Sequence, residues 1–357
     1  MKIEATIATL RLAAQRIVAS DLASPADVVR FMLALQGQDL AGAKWAIGVR
    51  APTATVTAVD AALEAGAIVR SWPMRGTLHL VAAEDLHWLL ALGTPGVLAA
   101  SAKRRAALGL DDKTLGKART VAERALAGGA RLARDELIER WNRAKLGLEP
   151  HRAYHTLFYL AQTGTLCQGP VRDGDACYVL VDEWIRRRRT FDRDEALGEL
   201  ARRYFASHGP ATLADLSRWV KLPQRDLEIG LAVARPALAE LELGRTTYYL
   251  APDAADRVPA TVARSVVLLP GFDELVLGYA DRTATLDKAH EPRIVPGGNG
   301  VFLATIVAGG RVVGTWKRAA RAKEVVVEAR PFAKLPPGLA AAGAAYGRFL
   351  GVPVRIA

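Results

Sequence analysis

Cysteine is nearly missing from this chain: among 357 residues only Cys167 and Cys177 occur. Two thiols cannot make a cysteine-rich zinc site, and no histidine stands at ligand spacing beside them. A disulfide-stapled scaffold is excluded with it. The two flank the turn-rich stretch QGPVRDGDA. They could face each other across a hairpin, and they are expected to be reduced bystanders. Long apolar runs are also lacking. No stretch of about 18 apolar residues appears, so no membrane span is expected. The first residues, MKIEATIATLRLAAQRI, carry Glu4 early and an apolar period near 3.6, not a secretory core. A cytoplasmic location is expected. No cofactor and no metal are implied.

What is present is basic and globular. Hydrophobic residues make up 51% and charged residues 24%, so no long disordered span is expected. Lys plus Arg number 48 against 37 acidic residues, a net charge of +11. Such an excess suits a polyanionic partner. It also arises from compositional drift in a chain rich in Ala, Arg and Gly.

Three segments share one plan: helical patterns, then a strand–turn–strand. In the first, SPADVVRFMLAL has Ser24 at the N-cap, Pro25 at the first helical position and Asp27 in the first turn. TVTAVDAALEAG follows, ended by Gly66. AIVRSWPMRGTLHLV then reads as two β-rich runs around Pro73 and Gly76. In the second, HRAYHTLFYLAQTG precedes a hairpin at TLCQGPVRDGDACYVLV. In the third, TLADLSRWVKLP leads to LELGRTTYYLAP. LIERW at 137–141 and LSRW at 216–219 are weakly alike. Helices followed by a two-stranded wing make the winged-helix form of the helix-turn-helix. The tail differs. SVVLLPGFDELVLGY, VFLATIVAGGRVVGTW and KEVVVEARPF read as Val-rich strands with a turn at Gly309–Gly310, before a C-terminal helix. The expected fold class is α+β and helix-rich. Its parts are winged-helix modules over 1–100, 110–190 and 191–260 and a β-rich subdomain over 262–357.

LALQGQDLAGAKWAIGVRA, SWPMRGTLHLVAAEDLHWLL, LLPGFDELVLGYADR and GRVVGTWKR occur in this order. Together they resemble the AlkZ-like (YcaQ-type) DNA glycosylase superfamily, over nearly the whole chain. The resemblance implies three tandem winged helices plus a β-rich piece, forming a C-shaped cleft for duplex DNA. It implies excision of bulky alkylated purines and, in some members, unhooking of interstrand crosslinks. The family's catalytic signature, Gln–apolar–Gln, or Gln–apolar–Asp in its other main branch, falls on Gln36 and Gln38 in the first form, with Gly37 where a larger apolar residue is usual. Trp72, Met74, Asp273, Glu274, Tyr279 and Arg282 would line the cleft. By itself PGFDELVLGYADR reads as a strand with an internal charge pair.

On an α-helix, residues two apart diverge by about 200°. In an extended segment they share a face. Gly37 favours the non-helical option, so the helix from Pro25 should stop near Leu35 and restart near Leu40. Glutamine is a weak acid and base but a good orienting group. That suits a leaving group needing no protonation. A purine alkylated at N7 or N3 is already cationic, and its departure leaves an oxocarbenium-like sugar. Glutamine carbonyls can stabilise that charge and hold a water. Asp39 either caps the next helix or adds negative charge near the sugar. Lys44 belongs to the following helix, so Schiff-base lyase chemistry is not implied.

Candidate DNA contacts are Arg75 and His79 on a wing, and the run Arg186, Arg187, Arg188 and Arg189 between modules. Trp316, Lys317, Arg318, Arg321 and Lys323 form another set after a hairpin turn. Trp72 and Met74, alternating with Leu78 and Leu80, are also read as buried core, as is Trp316. The arginine run is also read as a solvated linker, and Asn299 as turn chemistry. The expected enzyme is a monomeric, monofunctional glycosylase acting on double-stranded DNA with alkylated purines. The alternatives are a non-enzymatic winged-helix regulator and a winged-helix scaffold for protein contacts.

Overall fold

Three times along the chain, helices are followed by an antiparallel hairpin. The computed structural model describes residues 3–321, 324–334 and 337–357, so Lys323 lies outside the described residues. The hairpins pair Ile68–Met74 with Thr77–Ala82, Leu166–Arg172 with Asp175–Leu180, and Ala239–Leu243 with Thr246–Leu250. Two have two-residue turns, Arg75–Gly76 and Asp173–Gly174, with positive φ throughout. That geometry matches the twist of paired strands. Pro73 cannot donate to a ladder, and the register slips between Ser71 and Met74. No helix among the described residues is long and apolar enough to cross a membrane.

By contact the chain divides into two units. One comprises Asp60–Arg193 with Val220–Leu222. Its strands run side by side in the order Thr77–Ala82, Ile68–Met74, Leu166–Arg172 and Asp175–Leu180. Its core gathers Trp72, Leu115, Leu137, Trp141, Leu157 and Leu166. Trp141 is fully buried and satisfies its indole N–H on the Ala118 carbonyl at 2.9 Å. Cys167 and Cys177 are free and buried, and Cys167 stands opposite Val179 rather than its fellow thiol.

The other unit comprises Met1–Val59, Asp194–Trp219 and Pro223–Ala357. Its sheet runs Val354–Ile356, Val325–Pro331, Arg311–Ala320, Thr305–Ala308 and Val266–Leu269. The first pair is parallel and the rest antiparallel. Gly309 and Gly310, both at positive φ, make the expected turn. The helices Leu40–Arg50 and Leu339–Leu350 meet through Trp45, whose ring lies 4.8 Å from Tyr346 and 5.2 Å from Phe349. Trp45 also donates to the Leu268 carbonyl, tying the helix to the sheet.

One element departs from the sequence reading. PGFDELVLGY is not a strand beyond Leu269. Pro270 follows the strand, and Asp273 then caps a short helix, Glu274–Leu277, by accepting from the Leu275 N–H at 3.0 Å.

Candidate active site

The helix Pro25–Met32 starts where its sequence says, with the Ser24 hydroxyl accepting from the Asp27 N–H. It stops at Met32, three residues earlier than expected. The next residue, Leu33, has φ 68° and ψ −52°. This is the γ-turn region, which costs a non-glycine residue on the order of 1–3 kcal/mol. The burial of Met32, Leu33, Ala34 and Leu35 holds it there. Residues Ala34–Gln36 are extended, and helix resumes over Leu40–Arg50. Gln36, Gly37 and Gln38 therefore lie outside any helix. Gln36 is half-buried, Gly37 buried and Gln38 exposed. That alternation fits a shared face for the two glutamines.

Behind this segment is a buried carboxylate. Glu274 is fully buried, and its Oε1 accepts from the Gln36 backbone N–H at 3.3 Å. Its Oε2 accepts from the Trp219 indole N–H at 2.9 Å and lies 3.5 Å from His208 Nε2. A buried charge persists only where donors replace water, and these donors come from separate elements. The polar set extends further. Arg50, at the end of the helix after QGQ, forms two bonds to Asp273, at 2.8 and 3.0 Å. Arg50 also donates to Gln15, Gln15 to the Tyr279 hydroxyl, and Tyr279 to the His208 carbonyl. The Arg11 guanidinium sits 3.5 Å from the Tyr279 ring centroid. Burial pushes the Tyr279 phenol well above its usual range.

These positions correct the expected cleft lining. Asp273, Glu274 and Tyr279 are buried supports with no face toward solvent. Glu274 bonds the motif's backbone, and Arg282 of the same stretch pairs with Glu291. Replacement of Glu274 has a definite consequence. Both carboxylate oxygens face N–H donors, and a glutamine amide would turn one NH2 toward a donor. Glu274→Gln should therefore lower stability by about 1–3 kcal/mol. Amide exchange over residues 33–40 should accelerate. Urea melts and hydrogen-exchange mass spectrometry check both.

Asp39 occupies the N-cap position of the helix Leu40–Arg50 but makes no capping hydrogen bond with its side chain. The carboxylate instead lies over Gly42, where an added Cβ would stand 2.6 Å from Oδ2. It borders a cavity of about 440 Å³, together with Pro270, Trp316, Lys317, Arg318 and Tyr346. Lys317 and Arg318 are exposed, as a DNA contact requires. Trp316 is buried, donates to the Leu269 carbonyl at 2.8 Å and packs edge-on against Tyr346. It is core, not a groove wedge.

In the other unit, Arg75 is half-buried at the hairpin turn. His79 is fully buried, which corrects its reading as a DNA contact. Its Nδ1 lies 2.8 Å from the Thr77 carbonyl, so that nitrogen must donate. Nε2 then accepts from Arg75 Nη2 at 2.9 Å, and the ring orients the arginine. Trp72 and Met74 are core rather than lining. Within the arginine run, Arg186 and Arg187 are exposed. Arg188 is tied to Asp182, and Arg189 pairs with Asp85 and lies over the Phe191 ring. Arg188 is exposed like Arg186 and Arg187, whereas Arg189 serves the local structure. Arg282, expected in the lining, is largely buried and bonded to Glu291.

Sequence reasoning missed Gln15, Arg50, His208 and Trp219. No spacing links them, since they meet only through the tertiary fold.

Comparison with known proteins gives the family and the fold. A family model described as DNA glycosylase AlkZ-like matches residues 29–349. A Streptomyces sahachiroi protein named interstrand DNA cross-link repair glycosylase is 26% identical over 310 residues, 82% of each chain. The solved structure of Streptomyces sahachiroi DNA glycosylase AlkZ superposes with a TM-score of 0.79 at 24% identity, covering 99% of both chains.

Proposed function

The chain belongs to the AlkZ-like family of DNA glycosylases, and from that premise we propose that it hydrolyses the N-glycosidic bond of purines made cationic by alkylation at N7 or N3. The observation that carries this is the QGQ segment. Two glutamines stand outside any helix, between buried helices, with the backbone of one anchored on the buried Glu274.

The chemistry follows from the leaving group. When the C1′–N bond breaks, its electron pair returns to the alkylated ring and neutralises it, so no general acid is needed. Positive charge develops on the sugar. Water adds to C1′ and releases its proton to solvent. In this reading the Gln38 side-chain carbonyl orients the water and Gln36 supports the sugar or that water from the other side. Both present negative dipole ends to the developing cation. Asp39 adds a full negative charge beside the segment. Normal bases, with neutral rings as leaving groups, depart far more slowly. Lys44 lies buried in the following helix, and a simple hydrolysis without strand scission results.

The three helix-plus-hairpin segments act as winged-helix modules over 1–100, 110–190 and 191–260, with the β-rich part at 262–357. Arg75, Arg186, Arg187, Lys317 and Arg318 contact phosphates of double-stranded DNA. The enzyme works as a cytoplasmic monomer. The name of the Streptomyces sahachiroi relative supports extending the substrates to interstrand cross-links. The test is a panel of duplexes carrying N7-methylguanine, an N7-linked interstrand cross-link, uracil or 8-oxoguanine. Release of the cationic lesions alone is expected. Equal release of the neutral bases would contradict the mechanism.

A further inference from the structure

A second site lies apart from the QGQ segment. A cavity of about 550 Å³ is lined by Arg218, Arg282, Lys288, Glu291, Phe302 and the glycines of the PGGNG loop. Arg218 and Lys288 are exposed. Arg282 is held rigidly. Its Nε donates to the Val276 carbonyl at 2.8 Å, Nη1 donates to Glu291 at 2.9 Å, and the guanidinium packs 5.2 Å from the Phe302 ring centroid. Its Nη2 is buried and has no hydrogen-bond partner among the described residues. Burial, and then the nearby Arg218, lower the pKa of the Arg282 guanidinium from its usual value. Three cations thus line one hollow that contains a single carboxylate. Like charges brought together are unfavourable unless an anion offsets them. Gly297, Gly298 and Gly300, all at positive φ, carry no side chain to obstruct the rim.

We propose that this cavity binds a phosphodiester of the substrate duplex, with the exposed Arg218 and Lys288 as the contacting charges and Arg282 as a fixed positive charge in the wall. The site rests on the DNA glycosylase reading and extends it, because nothing in the QGQ chemistry requires it. The ligand is a phosphate group. Its volume leaves room for the sugars on either side of one, which favours the DNA backbone over a free ion.

The test removes the two exposed cations, so that folding is not at stake. Arg218→Gln with Lys288→Gln is compared with Lys113→Gln and Lys117→Gln, an equal charge loss on the exposed face of another helix. DNA affinity is measured by anisotropy across a potassium chloride series. Each lost phosphate contact should reduce the log–log salt slope by about 0.9, so the first pair, which shares one phosphodiester, should flatten it by about one such step and weaken binding several-fold beyond the control pair. Matching behaviour of the two pairs would overturn the site. Stabilisation of the wild type, but not of Arg218→Gln with Lys288→Gln, by inorganic phosphate or pyrophosphate, with identical DNA slopes, would assign it to a free phosphate ligand and overturn the duplex assignment. Single-turnover excision by the wild type is recorded in parallel. Its absence would remove the glycosylase reading, whatever the slopes show.

Discussion

Gln38→Ala should slow excision by about 10² to 10³ while lesion-DNA affinity stays within a few-fold, since loss of one preorganised electrostatic group typically costs that much in rate. Gln38 is exposed at the end of a non-helical segment, so its removal leaves the core intact. Under the proposed contacts, binding is spread over many cations and does not depend on Gln38. Gln38→Asp is the sharper variant. It keeps an acceptor oxygen, adds a charge facing the developing cation and resembles the Gln–apolar–Asp form of the motif. It should retain more activity than the alanine. Single-turnover excision, with binding measured in parallel, separates these outcomes. Wild-type rates for Gln38→Ala would remove the residue from the mechanism. So would a loss traced wholly to unfolding or failed binding.

Asp273→Ala should be the most damaging single change to stability, at about 3–5 kcal/mol. Arg50 and Asp273 are both fully enclosed and joined by two hydrogen bonds. Removing the carboxylate leaves a buried guanidinium whose remaining partners are the Gln15 side chain and the Ala46 carbonyl. It also removes the cap from the short helix that presents Glu274. Denaturant melts of the unit containing residues 1–59 should shift to much lower midpoints. Replacing the pair together, Arg50→Met with Asp273→Leu, should recover part of the loss, because no charge is then stranded. A single alanine with wild-type stability would show that the pair is not the support described.

Local chemistry made much of this architecture readable. Ser24 and Pro25 announced a helix start, and Gly309–Gly310 announced a hairpin turn. The break around QGQ was also legible, because glutamines two apart cannot share a helical face. Its cause was not. The strained residue is Leu33, which no propensity would choose for positive φ, and four consecutive buried residues hold it there. The DELVLGY stretch misled for a related reason. An acidic pair in an apolar run resembles an exposed edge. Here each carboxylate is buried, with Arg50 and Trp219 reaching it from distant parts of the sequence. The same holds for His79, where a wing position suggested contact with DNA. For Trp72 and Trp316 the core reading that the sequence also offered is the one the packing bears out.

The most direct measurement uses one duplex with a single N7-methylguanine, incubated with excess wild-type protein at neutral pH. Free N7-methylguanine and an intact strand bearing an abasic site are expected, with the strand breaking only when alkali is added. Tight binding of the duplex with no released base, under conditions where the protein is folded, would contradict hydrolysis at the QGQ segment and favour a DNA-binding protein without catalysis.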